Sequence, residues 1–325
     1  MKKVLITGFT GFVGSHLAEY LLAEGGYEIF GLYRWRSRLE NVTHLLDQVH
    51  LVDGDITDAH AMLKLVQKIR PDYIFHLAAQ SYVPASWHGP DATVTTNVRG
   101  QINLFEAVRS AELACRIQIA GGSEEYGLVY PDEVPITEDN PLRPLSPYAV
   151  SKVTQDLLAF QYVQSYDLDI VRTRGFNHTG PRRGEVFVCS NFARQIAEVE
   201  AGLHPPVIKV GNLDATRDFS DVRDMVRGYL LALQKGKKGE VYNLCSGRDI
   251  RIGDILDQLI AMAGVAITIE EDPDRLRPSD VPILRGSSAK FHADTGWQTT
   301  IPFSQTMEDL LNYWRERIQA AGQGS

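Results

Sequence analysis

Gly8-Phe9-Thr10-Gly11-Phe12-Val13-Gly14 places three glycines three residues apart, after the apolar run Val4-Leu5-Ile6 and before an amphipathic stretch at 15–22. In a strand–turn–helix setting the first glycine permits a tight turn and the second lets backbone N–H groups approach a pyrophosphate. The third lets helix and strand pack closely, while the helix N-terminus favours negative charge. Gly8, Thr10, Gly11, Phe12, Val13 and Gly14 are therefore expected to bind a dinucleotide, a purely structural turn being the alternative. Further β-rich runs at 28–32, 50–55, 73–78, 116–120 and 168–172 are separated by helical stretches. That alternation implies right-handed crossovers and an α/β doubly wound parallel sheet of the Rossmann type. Beyond about residue 180 the pattern loosens into helices at 189–202, 221–234, 252–263 and 304–320, with short strands and Pro/Arg-rich loops. The expected division is a core over 1–180 and a smaller C-terminal α/β substrate lobe over 181–325, interleaved with the core.

A formal net charge of −8 argues against nucleic acid or an anionic membrane as the main partner. Any anionic ligand must then be held by locally placed arginines and backbone amides. Cys115, Cys189 and Cys245 show neither metal-type spacing nor a disulfide framework, and His44, His50, His60 and His204 carry no metal-like spacing, so no metal site is expected. Val4-Leu5-Ile6 is too short for a signal segment, and no run approaches the ~20 apolar residues of a membrane helix. A cytoplasmic protein with reduced thiols is expected.

An acidic residue closing the second strand would accept from the 2′-hydroxyl of NAD and repel a 2′-phosphate. Here that position is occupied by Arg34-Trp35-Arg36-Ser37-Arg38. Guanidinium forks match phosphate oxygens, so Arg34, Arg36 and Ser37 favour NADP, with NAD the alternative if the loop is merely solvated. Asp55-Ile56 is placed to meet the adenine edge, and Leu77-Ala78-Ala79 supplies small residues where the nicotinamide half must pass.

Tyr148 and Lys152 lie one helical turn apart, behind Pro147, which suits a helix start. A free tyrosine titrates near ~10. An ammonium on the same helical face and the helix dipole are both expected to lower that value, giving a base for a sugar hydroxyl as hydride leaves the same carbon.

With these motifs, His76-Leu77-Ala78-Ala79-Gln80-Ser81, Asn97 and Phe176-Asn177-His178-Thr179-Gly180-Pro181, the chain resembles the extended short-chain dehydrogenase/reductase family over nearly its whole length. Two branches are similar, both acting on GDP-sugars. Pro181-Arg182-Arg183-Gly184-Glu185 with Phe187-Val188 resembles the GDP-mannose 4,6-dehydratases. Arg217-Asp218-Phe219, Val241-Tyr242-Asn243 and Leu276-Arg277-Pro278-Ser279 look more like the GDP-4-keto-6-deoxymannose reductases. The resemblance implies Tyr148 as base for the 4-hydroxyl and Lys152 as its partner. Glu124 would be the acid/base of dehydration, with a loop cap as its alternative role. Two adjacent carboxylates, Glu124 and Glu125, are expected to push one pKa upward. The family keeps a serine or threonine two residues before that glutamate, where this chain has Gly122, leaving Ser123 as a stand-in. Arg183 and His178 are implied as cofactor contacts, His178 being alternatively a packed core residue. Ser81, Asn177, Val188, Arg217 and Arg277 are implied on the GDP-hexose side. The expected activity is dehydration of GDP-mannose in a homodimer or homotetramer. The reductase (or one protein doing both), a 4-epimerase and a non-catalytic cofactor-binding relative are the alternatives.

Overall fold

A computed structural model describes residues 1–275 and 283–323 of the chain. The first half runs β1 (Lys2–Thr7), α1 (Phe12–Glu24), β2 (Tyr27–Tyr33), β3 (His50–Asp53), α2 (Ala59–Ile69), β4 (Tyr73–His76), α3 (Val83–His88), α4 (Pro90–Val94), α5 (Gly100–Ser110), β5 (Arg116–Gly122), α6 (Pro147–Tyr166) and β6 (Asp169–Gly175). The second half runs β7 (Asn177–Thr179), α7 (Val188–Glu200), β8 (Val207–Val210), β9 (Thr216–Asp221), α8 (Val222–Lys235), β10 (Val241–Leu244), β11 (Asp249–Arg251), α9 (Ile252–Ala261), β12 (Thr268–Glu271), β13 (Ile283–Leu284), α10 (Ala289–Thr295) and α11 (Phe303–Gln323).

Seven strands form one sheet in the order β10-β6-β5-β4-β1-β2-β3, parallel throughout. The chain winds outward from β1 to β3, then restarts at β4 on the other side of β1. That reversal opens a crevice beyond the carboxyl ends of β1 and β4, where ligands of such sheets bind. The strands are apolar because both faces are covered. Leu17, Leu21, Val226, Leu230 and Trp297 pack one face, and Met62, Leu65, Leu104, Phe105 and Val163 the other. Local signals agree with these bounds. The Asp58 side chain caps α2 by accepting from His60 and Ala61 amides, and α2 ends on Arg70 in the left-handed region at φ 52°. Ser146 caps α6, Pro147 opens it, and Asp167 closes it at φ 59°.

The chain after residue 180 is not confined to the lobe. β10 extends the main sheet by pairing with β6, and α8 packs its apolar face into the same cluster as α1. The lobe holds β11-β9-β13 with β7 alongside β9, and the pair β8–β12. Its own core joins Phe192, Ile196, Ile255, Leu259, Leu310 and Trp314. Among the described residues no helix is long and apolar enough to cross a membrane.

Candidate active site

The glycine turn is built for close backbone approach. Gly8 sits at φ +71°, and a Cβ there would lie 2.9 Å from the Ala78 amide nitrogen. At Gly14 a Cβ would come within 2.4 Å of the Gly8 carbonyl oxygen. α1 starts after Gly11 without any side-chain cap, so the amides of its first turn face the crevice end. The Thr7 hydroxyl holds the opposite wall. It accepts from the Leu77 and Ala78 amides at 3.1 Å each and lies 2.9 Å from His76 Nδ1. Leu77, Ala78 and Ala79 are thereby fixed beside Gly8. Burial, aided by the Lys152 charge, holds His76 neutral with its pKa pushed down to about 3.

Past β2, the Ser37 amide donates to the Arg34 carbonyl (2.7 Å) and the Arg34 amide to Ser37 Oγ (3.2 Å), closing a turn. Arg34 and Arg36 stay exposed, with no salt bridge among the described residues, and Arg36 lies 4.7 Å from the Trp35 ring centre. Asp55 Oδ1 accepts from the Thr57 amide and hydroxyl. Those bonds and the Arg34 charge outweigh partial burial and keep its carboxyl below the ordinary value. The Ile56 side chain is buried in the core under Gly100, and its carbonyl accepts from Asn103 Nδ2 at 3.0 Å.

Tyr148 and Lys152 share the first turns of α6, with the ammonium 5.9 Å from the tyrosine ring centre. The expected lowering of the phenol pKa does not hold in this structure. Partial burial and then the Glu124 and Glu125 carboxylates push it up, with Arg183 the opposing influence. Lys152 is itself buried, which lowers its own pKa, and it donates to the Ala120 carbonyl at 2.9 Å.

The turn after β5 presents its two carboxylates differently. Glu124 is half-buried beside Tyr148, whereas Glu125 is fully buried and caps the turn by accepting from the Gly122 amide at 2.7 Å. The expected upward shift falls on Glu125, caused by burial first and the Asp156 carboxylate second. Ser123 is buried on the same turn. Gly122 is extended (φ −156°, ψ 160°), and a Cβ there would meet nothing closer than the Gly175 carbonyl oxygen at 3.8 Å.

Arg183 comes across from the lobe. Its guanidinium lies 3.4 Å from the Phe187 ring centre and 5.1 Å from that of Phe12 in the glycine turn. It has no salt bridge among the described residues, and burial lowers its pKa to about 10. The Tyr148 phenol is among the groups that act on it. His178 stacks on Phe12 at 6.0 Å and bonds the Phe176 carbonyl through Nδ1 at 2.9 Å. Burial and then Arg183 depress its pKa to about 4, leaving it neutral near pH 7. It is thus packed and hydrogen-bonded while lying against the dinucleotide turn.

Asn177 is half-buried at the start of β7, Val188 opens α7, and Ser81 is exposed after β4. Arg217 lies on β9 and donates to the Thr216 carbonyl at 2.9 Å. Arg277 falls outside the described residues. One residue was quoted in the sequence without a role. Buried Asn97, in a wide π-type turn at 95–99, accepts from the Gln80 amide (2.8 Å) and donates to Ser151 Oγ (2.9 Å), joining the loop after β4 to α6. Its signal in the sequence was its place among the motifs that carry the family resemblance. Among the described residues no cluster of three or more His, Cys, Asp or Glu could hold a metal, and the three cysteines are free and buried.

A family model described as GDP-mannose 4,6 dehydratase matches residues 5–310. A GDP-6-deoxy-D-mannose reductase of Pseudomonas aeruginosa is 33% identical over 318 residues, covering 98% of this chain and 99% of the relative. A GDP-mannose 4,6-dehydratase of Yersinia enterocolitica is 32% identical, covering 96% and 93%. Among solved structures, RMD from Pseudomonas aeruginosa complexed with NADPH superposes with a TM-score of 0.86 at 31% identity, covering 98% of this chain and 100% of that one.

Proposed function

The chain belongs to the GDP-mannose 4,6-dehydratase family, and on that premise we propose that it converts GDP-mannose to GDP-4-keto-6-deoxymannose with bound NADP. The observation carrying this reading is that the Glu124 carboxylate is close enough to the Tyr148 phenol to act on it, with Arg183, which also acts on that phenol, reaching Phe12 of the glycine turn. A 4,6-dehydration needs both a base for the 4-hydroxyl and a second proton acceptor at C5.

The residues fit an NADP-like group. The glycine cradle would be filled by any Cβ at Gly8 or Gly14, the first amides of α1 are uncapped, and Arg34 and Arg36 carry no salt bridge among the described residues. Gly8, Thr10, Gly11, Phe12, Val13 and Gly14 would hold the pyrophosphate, and Arg34, Arg36 and Ser37 the 2′-phosphate. The bound cofactor supplies a hydride acceptor for C4 of the hexose and later a donor to C6, with no net redox change. Tyr148 takes the 4-hydroxyl proton, with the Arg183 guanidinium favouring its phenolate and Lys152 one turn along α6. Glu124 removes the C5 proton and assists loss of water from C6. Asn177, Val188, Arg217, Arg277 and Ser81 receive the GDP-hexose, with Arg183 at the diphosphate region between the two ligands.

A second reading, a reductase that takes the 4-keto product onward, is supported by the similarity to the Pseudomonas aeruginosa reductase; Gly122 leaves either reaction without a hydroxyl at that position to align the 4-oxygen. The exposed apolar side chains Val150, Leu157 and Phe160 on α6 support a homodimer or homotetramer, and a cytoplasmic location fits the free thiols. Incubation with GDP-mannose and NADP, then with added NADPH, separates the two activities by product mass. Loss of water without NADPH consumption is the dehydratase result. Stoichiometric NADPH oxidation on the 4-keto sugar alone replaces it with the reductase. No product from either sugar refutes both.

A further inference from the structure

Phe12, His16 and Glu19 follow one another at i, i+4 and i+7 on α1, so they share one face of the helix. The turn after β7 lies along that face and meets it with two arginines. Arg183 reaches the start of the face, 5.1 Å from the Phe12 ring centre. Arg182 reaches the rest. Its guanidinium donates to both Glu19 oxygens, from Nη1 at 2.7 Å and from Nη2 at 2.6 Å. Nη2 also donates to His16 Nδ1 at 2.7 Å, and Nη1 to the Asn41 carbonyl at 3.3 Å. His16 Nε2 donates to the Pro181 carbonyl at 2.8 Å, which leaves Nδ1 as the acceptor for Arg182. That pattern requires a neutral ring, and burial followed by the Arg182 charge pushes the His16 pKa down to about 4.

The same contacts reach the loop after β2. Glu19 also accepts from His44, and Asn41 Nδ2 donates to the Thr10 carbonyl in the glycine turn at 3.1 Å. Arg182 thus sits where α1, that loop and the turn after β7 meet. Its backbone shows that local preference does not place it there. The Arg183 amide donates to the Gly180 carbonyl at 3.1 Å, closing a turn with Pro181 second and Arg182 third, at φ 71°. A turn with proline second and a positive φ third favours glycine at the third position. A side chain in the left-handed region is strained and persists only where its surroundings hold it. Here the bonds to Glu19, His16 and the Asn41 carbonyl do the holding. A residue kept for the turn alone would be glycine.

We propose that Arg182 is a positioning residue: clasped to Glu19, His16 and the Asn41 carbonyl, it fixes the turn after β7 so that Arg183 stands over Phe12, where cofactor and GDP-hexose meet. Phe187 backs the Arg183 guanidinium at 3.4 Å, but it belongs to the same connection into α7 and travels with it. The hydrogen bonds that tie the turn to α1 are those of Arg182 and Pro181. The effect on GDP-hexose binding rests on the diphosphate role given to Arg183 above, whereas the placing of Arg183 does not.

The test uses the full chain loaded with NADP, and two variants cut the clasp from opposite sides. Arg182→Gly suits the left-handed backbone and so keeps the turn. Glu19→Gln leaves the turn unaltered and removes the charge on α1. Side-chain NMR of the arginine Nε–Hε groups, with Arg183 assigned through Arg183→Lys, follows its ring-shifted signal between Phe12 and Phe187 without turnover. That signal should move in both variants. GDP titrated by calorimetry is the second readout. Arg182→Gly should weaken its binding about tenfold or more, the loss of one charged hydrogen bond. The double variant should bind no more weakly than Arg182→Gly, because both changes act through one contact. A merely structural clasp would lower Tm and leave the Arg183 signal in place. An Arg183 signal unchanged in both variants therefore overturns the proposal. A displaced signal with weakened GDP binding supports it. A displaced signal with unaltered GDP binding also supports the positioning and removes the diphosphate role from Arg183 instead.

Discussion

Gly122→Ser adds a hydroxyl where related sequences carry one, and the structure states what it would meet. The backbone is already extended at φ −156° and ψ 160°, so serine needs no left-handed conformation. Its Cβ would lie 3.8 Å from the Gly175 carbonyl oxygen, ordinary contact, with no other close atom. The Gly122 amide keeps its bond to the Glu125 carboxylate, because residue 122 contributes only its backbone N–H to it. Loss of glycine freedom in the unfolded chain adds about 0.4–1 kcal/mol of stability, so Tm should hold or rise slightly. If the substrate 4-oxygen lacks a donor, restoring one acts on the transition state. Deleting a single such donor elsewhere costs about 10²–10³ in kcat. Partial replacement by Ser123 or water would reduce the gain, so a rise of roughly tenfold or more is expected. The assay is kcat and KM on GDP-mannose with NADP, or on the 4-keto sugar with NADPH, alongside thermal unfolding. A rise in kcat with KM little changed is the expected pattern. A variant with unaltered Tm and unaltered kcat would refute the idea that a missing hydroxyl limits this site.

Tyr148→Phe should lower turnover at least ~10³-fold, since general-base contributions reach 10²–10⁴, while NADP affinity measured by fluorescence titration stays within a few-fold. Arg34→Ala with Arg36→Ala should raise the Kd for NADP at least tenfold (each lost charged phosphate contact being worth about 1.5–3 kcal/mol) and leave that for NAD nearly unchanged; equal losses for both would show that the loop does not read the phosphate. His16, His76 and His178 have pKa values depressed by burial to about 4, 3 and 4. Because the unfolded chain binds their protons more readily, the stability they contribute is intact above pH 6.5 and is lost as pH falls toward those values. By pH 4.5 each should cost roughly 2.6 kcal/mol, and His76→Gln should flatten that part of the Tm–pH curve.

Period and punctuation made the sheet readable in advance. The runs at 28–32 and 116–120 lie within β2 and β5, and the glycine turn with Pro147 marked the starts of α1 and α6. Helical spacing singled out Tyr148 and Lys152, whereas Glu124 and Arg183 were expected from the family resemblance; the structure sets Glu124 and Arg183 near enough to act on the Tyr148 phenol. Long-range electrostatics stayed hidden. Helical spacing brings Lys152 near Tyr148, yet cannot reveal that β5 offers the ammonium a carbonyl or that two carboxylates face the phenol. Which of two adjacent glutamates goes inside depends on Arg174 and Asp156, far along the chain. The burial of the Ile56 side chain under Gly100 could not be read from its sequence neighbours, because α5 is close in space and distant along the chain.

Residues 241–244 complete the main sheet, and α8 covers α1. A fragment ending near residue 180 would therefore expose β6 as a bare edge and uncover the apolar side of the helix behind the glycine turn, inviting aggregation instead of folding. Sugar preference in this architecture cannot be altered by exchanging one half for another. It has to change through side chains around the site while the interlocked frame is left whole.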